Sequence, residues 1–273
     1  TKKDYTHITR NKQEKIELSK NWIYDTKKRN TIKKIVRKHA EKGGFPELQL
    51  IEEQREEKKI IDEYFTTLLF KDIAERYNIR NTTTLKLLLQ YLANNYASYY
   101  TINALHNYAK SQGHKSSTST VHELTQAIDG AHFAFFVKKY DKSLKKQESN
   151  PRKTYLIDTT YITHQTLRKD KERILENQIA IELLRQEKEI YYHATEKTEC
   201  DFITNPKTKP EAIQVCFALE EKNKKRKLQG LLQAMKEFSL KKGTIITEDQ
   251  EDEFVIEGKK ILIKPVWKWL LEK

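Results

Sequence analysis

Glycine and proline are scarce in this chain, at 7 and 5 of 273 residues. Few obligatory breaks suit a helix-rich protein with short connections. No GxxxxGK[ST] phosphate loop occurs, and the only glycine pair is Gly43-Gly44. A nucleotide-hydrolysing site is therefore not encoded in these residues. Cysteine is limited to Cys200 and Cys216. That usage argues for a reducing compartment and a cytoplasmic location. Without CxxC spacing the two make no zinc site, and because both fall on expected strands a disulfide between them stays open. No apolar run approaches the ~20 residues of a membrane helix. The opening Thr1-Lys2-Lys3-Asp4 has no signal-peptide character, so no membrane partner is expected. The missing initiator Met points to a fragment or a processed chain.

Charge, by contrast, is abundant. Lys and Arg number 52 against 39 Asp and Glu, giving a net charge of +13 and a pI of about 9.4. A balance of this size favours polyanions, because neutralised phosphates release their counterions. A lysine-dressed surface on an ordinary globular protein would give the same total, since Lys is spread throughout and Glu is plentiful.

Along the chain, residues 1–42 read as basic helix and linker, with Ile32, Ile35 and Val36 at helical spacing among Lys33, Lys34, Arg37 and Lys38. Gly43-Gly44-Phe45-Pro46 is a turn. A helical stretch is predicted over about 48–77, with Ile60, Ile61, Tyr64, Phe65, Leu68 and Leu69 on one face. Residues 82–140 then give three helices: Leu85, Leu88, Leu89 and Leu92 in the first, Thr101 capping the second, and Ser117–Ile128 as the third. A strand at 133–137, a basic loop at 138–153 and a return strand at 154–157 follow. Three helices, a strand pair and a basic loop make the plan of a winged helix-turn-helix. In that plan the third helix enters the major groove and the wing rides the phosphates. The candidate nucleic-acid contacts are Ser119, Thr120, His122 and Gln126 on the outer face of the third helix, and Lys145, Lys146 and Arg152 in the loop. The same plan serves as a protein dock, and Glu123 on that outer face counts against base reading.

Residues 160–273 read as a mixed sheet with helices on its faces. The predicted elements are a helix at 173–184, strands at 190–193, 200–204 and 213–217, a basic helix at 222–238, a strand at 244–247 and a hairpin at 254–264. An acid on a helix (Glu176), an Asp at a strand end (Asp201) and a polar residue on the next strand (Gln214) form the skeleton of a metal-dependent nuclease of the restriction-endonuclease type. Such chemistry needs hard oxygen ligands around Mg²⁺ and a nearby Lys. Glu176 and Asp201 are the candidate metal ligands, with Glu199 as a spare acid. Gln214 offers only a neutral amide oxygen. Cys216 stands where the Lys would be and carries no positive charge. The candidate catalytic set is thus Glu176, Asp201, Gln214 and Cys216, with Mg²⁺ as the cofactor such a site would take and cleavage expected to be weakened. Glu182, about 240° round the helix from Glu176, is left out of the set.

An ordered set of short motifs resembles the region after the ATPase core in a family of archaeal AAA-type ATPases. It runs through Gly43-Gly44-Phe45-Pro46-Glu47, Tyr64-Phe65, Lys71-Asp72-Ile73, Glu75-Arg76-Tyr77, Lys153-Thr154-Tyr155, Ile157-Asp158, Leu175-Glu176-Asn177, Cys200-Asp201-Phe202, Ile213-Gln214-Val215-Cys216 and Pro265-Val266-Trp267-Lys268-Trp269-Leu270-Leu271. The resemblance covers about residues 43–273. It implies a winged helix followed by a restriction-endonuclease-like domain, and it implies ATP only through an N-terminal domain absent from this sequence. In that family the Gln-Val-Cys departure looks shared. The expected architecture is α+β: a helical region at 1–80, a winged helix at 81–159 and a nuclease-like domain at 160–273. The expected function is DNA association by a C-terminal region of such an ATPase. An active Mg²⁺ endonuclease with a Lys recruited from elsewhere, and a module coupling the ATPase to a protein partner, are the alternatives. The sequence sets no oligomeric state.

Overall fold

The computed structural model describes residues 3–9, 12–18, 25–165 and 170–272. The fold is α+β, built on one mixed nine-stranded sheet in the order β10-β11-β9-β8-β7-β6-β4-β5-β3. A separate antiparallel pair, β1 (Lys3–Thr9) and β2 (Lys12–Leu18), opens the chain. This corrects the expected helix and linker over that stretch; residues 1–2, 10–11 and 19–24 lie outside the described residues.

Helix α1 (Thr26–Lys42) starts at Asp25, whose carboxylate accepts from the Lys28 amide, and stops at Gly43. Gly43 has φ +78, and an added Cβ there would lie 2.0 Å from Asp158 Oδ1 and Thr160 Oγ1. The glycine therefore serves both a left-handed turn and a close approach. Gly44 donates its backbone N–H to Asp158 Oδ2 at 2.8 Å, tying this turn to the middle of the chain. The single helix expected over 48–77 is broken. α2 (Pro46–Leu50) ends at an extended Ile51, α3 (Gln54–Thr67) follows, and a π-helical segment (Leu68–Glu75) completes the run.

Next come α4 (Thr82–Asn94), β3 (Ser98–Tyr100), α5 (Ile102–Ser111), α6 (Thr118–Gly130), β4 (Ala134–Lys139), α7 (Leu144–Ser149) and β5 (Arg152–Leu156). Asn81, Thr101 and Ser117 cap α4, α5 and α6 through their side-chain oxygens. β5 pairs antiparallel with both β3 and β4. The stretch expected as a loop contains α7.

Helix α8 (Thr159–Gln165) leads to α9 (Lys171–Arg185), capped by Asp170. Then follow β6 (Ile190–Ala194), β7 (Glu199–Thr204), β8 (Glu211–Val215), α10 (Glu221–Glu237), β9 (Lys242–Thr247), β10 (Asp252–Ile256), β11 (Lys259–Pro265) and α11 (Val266–Trp269). β6, β7 and β8 pair antiparallel, whereas β8–β9 and β9–β11 are parallel. The parallel pairing Lys138↔Tyr191 and Lys139↔Tyr192 joins β4 to β6. The sheet thus runs unbroken from the three-helix unit into the last hundred residues, and one apolar cluster extends from Phe65 to Val266. That continuity positions the site described next.

Candidate functional site

Lys153, on β5, is 3% exposed, yet it lies among three carboxylates. Strand alternation puts Lys153 and Tyr155 on the same face, turned inward. The Lys153 ammonium donates to Glu176 Oε1 at 2.9 Å and Asp201 Oδ1 at 3.1 Å, and it also pairs with Glu199. The Tyr155 hydroxyl donates to the same Glu176 oxygen at 2.6 Å. The two acids singled out from sequence therefore meet on one cation. Asp201 lies third in the six residues of β7 rather than at the strand end, and Glu176 sits in the middle of α9.

Neighbouring residues fix these positions. Asn177 accepts from the Leu156 amide and donates to the Leu156 carbonyl, both at 2.9 Å, which clamps α9 to the end of β5. Pairing of β7 with β8 runs from Thr204↔Glu211 to Phe202↔Ile213. Beyond it, Asp201 Oδ2 accepts a hydrogen bond from the Val215 backbone N–H at 2.9 Å, so a carboxylate continues what the ladder leaves. From the other side comes Lys227 of α10, also 3% exposed. It donates to the Val215 carbonyl at 2.5 Å, pairs with Glu172 at 2.7 Å and lies 3.7 Å from Asp201 Oδ2. Gly230 makes this possible: a Cβ there would sit 1.9 Å from the Glu199 carbonyl oxygen, so only glycine lets α10 lie so close to β7.

Two buried ammoniums thus balance two buried carboxylates. Burial pushes the Glu176 pKa up to about 7, with Asp201 adding to the rise and Lys153 opposing it. Burial acts upward on Asp201 too, but Lys227, Lys153 and the Val215 amide outweigh it and hold the carboxyl below its ordinary range. Desolvation works against the Lys153 charge, yet Glu176, Tyr155, Asp201 and Glu199 together leave it well above the usual lysine value. Lys227 is raised for the same reason, chiefly through Asp201 and Glu172.

The other expected catalytic residues lie near by but act differently. Gln214 is buried on β8, and its Oε1 has no hydrogen-bond partner among the described residues. Cys216 is buried, and its thiol donates to the Ala218 carbonyl at 2.9 Å. Burial raises its pKa, so it is a neutral thiol rather than a nucleophile. Both cysteines are free, so no disulfide joins them. Glu182 is held by Arg185 and Gln186.

The donor set does not suit Mg²⁺. Mg²⁺ demands near-ideal octahedral coordination by oxygens and usually keeps several waters. Here an ammonium already lies between the carboxylates, and among the described residues no cluster of three His, Cys, Asp or Glu is arranged to hold a metal.

The expected nucleic-acid contacts fall into two groups. On α6, the Ser119 and Thr120 hydroxyls both bond to Ser117 Oγ within the cap, while His122 and Gln126 are exposed. Lys145 and Lys146 are exposed on α7, without an ion pair among the described residues. Arg152 instead donates to Glu148 at 2.7 Å. A cavity of about 510 Å³ brings His122, Gln126 and Arg152 together, with Asp129 and Glu148 in the same wall.

Sequence reasoning missed Lys153, Lys227, Tyr155 and Asn177 as members of the centre. No signal in the local spacing marks them, since Lys153 adjoins Arg152 and Lys227 follows Lys224, Lys225 and Arg226.

Fold and centre together define an α+β protein with a buried ion cluster shared between β5, α9, β7 and α10. The chain belongs to the family described as Domain of unknown function (DUF8612), whose match covers residues 33–172. It is 30% identical over 258 residues to an uncharacterized protein of Methanocaldococcus jannaschii, MJ1544, covering 91% of this chain and 58% of that protein. An uncharacterized protein of Haemophilus influenzae is 24% identical over 243 residues, covering 88% of this chain and 59% of that protein. The chain therefore spans about three fifths of the length of these curated relatives. No solved structure matches it significantly. Among the described residues no helix is long and apolar enough to cross a membrane.

Proposed function

We propose that this chain is a DNA-associated region whose nuclease-like centre is catalytically weakened because a lysine ammonium takes the place a metal would need. One observation carries the reading: Lys153 Nζ lies at 2.9 and 3.1 Å from Glu176 and Asp201, the two carboxylates a metal-dependent nuclease would use as ligands. The order of α9, three antiparallel strands and α10 supports a nuclease ancestry for this layer. The helix–strand–helix–helix–strand–helix–strand order of α4 to β5, with β3 closing on β5 and α7 in the place of the wing, supports a winged-helix reading of the preceding unit. Exposed Lys145 and Lys146 would add phosphate contacts there. The likeness to archaeal AAA-type ATPases would place both units downstream of an ATPase domain, and the greater length of the relatives leaves room for one.

The test is incubation of the chain with branched, single-stranded and duplex DNA in Mg²⁺, Mn²⁺ or EDTA. Retention that weakens with salt, without cation-dependent cutting, is the expected result. Failure to retain any DNA at low salt would refute the reading.

A second reading, an active endonuclease, is favoured by Lys227, which reaches the Val215 carbonyl and Asp201 from α10 and could act as the recruited lysine. Cleavage abolished in Asp201→Ala would support it, and cleavage unchanged in that variant would reject it.

A further inference from the structure

On the face of α9 away from the ion cluster lies a second cavity, of about 490 Å³, closed by α1 on one side and by Phe217 and Trp267 on the others. Gln178, two residues and about 200° from Glu176, lines it. Its side chain belongs to a residue only 8% exposed and makes no hydrogen bond among the described residues. The amide lines the cavity with its hydrogen-bonding capacity unspent, so a ligand that offers a donor and an acceptor there takes the place of water. The remaining wall is largely apolar, including Val36, Ile174 and Val266.

Both aromatic rings are braced by cations. Lys33 Nζ lies 5.3 Å from the Trp267 ring centre, and Trp267 Nε1 donates to Asp249 at 2.9 Å. Lys171 Nζ lies 5.5 Å from the Phe217 ring. Around the rim, Lys33 pairs with Asp249, Arg37 pairs with Glu248, and Glu41 adds a further carboxylate. Lys171 makes no ion pair among the described residues, so it is the cation available to an anionic group.

We propose that this cavity receives one unpaired nucleotide of a nucleic-acid strand, its base against the aromatic and aliphatic wall, its edge on the Gln178 amide and its phosphate at Lys171. The volume falls in the range of small-molecule sites. A planar base offers donors and acceptors to an amide and a face to aromatic rings, as in other sites that take an extruded base. A fatty acid would fill the apolar space but leave Gln178 unpaired. The inference rests on the nucleic-acid reading above, and Phe217, which directly follows Cys216, links the cavity to the end of β8.

Calorimetric titration of the chain with dAMP, dTMP and octanoate tests it, with retention of a short duplex measured on the same preparation. Nucleotide binding that falls about tenfold in Gln178→Leu, with the thermal midpoint kept, is the expected result. Lys171→Gln, at the exposed rim, gives the same readout should the first variant fold poorly, with a loss of about threefold. Absence of nucleotide binding, unchanged binding in both variants, or octanoate binding more tightly than either nucleotide would overturn it. Duplex retention without nucleotide binding refutes the cavity alone. Nucleotide binding without duplex retention upholds the cavity and removes the broader DNA reading.

Discussion

The Lys153 ammonium and the Glu176 carboxylate meet at 2.9 Å although they belong to different layers, one on β5 and the other on α9. Neither has water to fall back on, since Glu176 is 6% exposed and Lys153 less. Each charge is tolerated because the other is there, and the pair holds the three-helix unit to the sheet that follows it.

Removing the cation should therefore be costly. In Lys153→Met the stem is replaced at similar volume, but Glu176, Asp201 and Tyr155 lose their shared neighbour. Breaking a buried pair from one side typically costs about 3–5 kcal/mol. Urea unfolding should show a loss of that order. A change under about 1 kcal/mol would mean that the carboxylates find other partners.

Glu176 gives a pH signature. Its folded-state pKa of about 7 lies above the ordinary 4.5. Between those values the folded form binds more protons than the unfolded one, so stability falls as pH rises through this window. Below it the penalty is absent; above it the penalty is complete. Asp201, depressed, works oppositely, and its stabilisation is lost only as pH falls below the normal carboxylate range. Thermal midpoints taken from pH 5 to 8 should decline in the native chain and flatten in Glu176→Gln. Parallel curves for the two proteins would place the titration elsewhere.

Much of the last hundred residues was legible because apolar spacing changes there from helical to alternating. Ile174, Leu175 and Ile179 mark α9, and Phe202, Ile213 and Val215 mark the strands. The early hairpin was not, because Lys3–Thr9 and Lys12–Leu18 are mostly polar and alternate only at Ile16 and Leu18. Glu176 and Asp201 could be singled out by their order along the chain. Lys153 and Lys227 could not. The first adjoins Arg152 and the second follows Lys224, Lys225 and Arg226, so both read as solvated charge. Their burial is set by carboxylates that come from distant segments, which local spacing does not encode.

The Asn177 clamp makes a narrower test. Asn177→Leu keeps the bulk but leaves the Leu156 amide and carbonyl without their side-chain partners. Removing two bonds to buried backbone groups should cost about 2–4 kcal/mol. Hydrogen exchange at Leu156 should rise together with the fall in denaturant midpoint. Protection kept at Leu156 would show that β5 does not depend on the clamp.

Close approach of α10 to β7 depends on Gly230. Alanine there would bring a methyl to 1.9 Å from the Glu199 carbonyl oxygen, which is backbone and cannot swing aside. The helix must move out, and Lys227 moves with it. Gly230→Ala should lose about 1–3 kcal/mol as an overpacked site does, despite the helix propensity gained. A more stable Gly230→Ala protein would show that the helix is not held at this distance.

DNA retention, finally, should depend on α7 without involving the ion cluster. Lys145 and Lys146 are exposed and make no ion pair among the described residues, so replacing both with Gln should leave stability within about 0.5 kcal/mol. Each phosphate left without its lysine reduces the slope of log affinity against log salt by about one. The double variant should therefore bind duplex more weakly and with a slope shallower by about two. Arg152 is already engaged by Glu148, so Arg152→Gln should change that slope less than either lysine does. Equal slopes for the native chain and the double lysine variant would move the phosphate-binding face away from α7, and the face of α6 carrying His122 and Gln126 would lose its supporting wing.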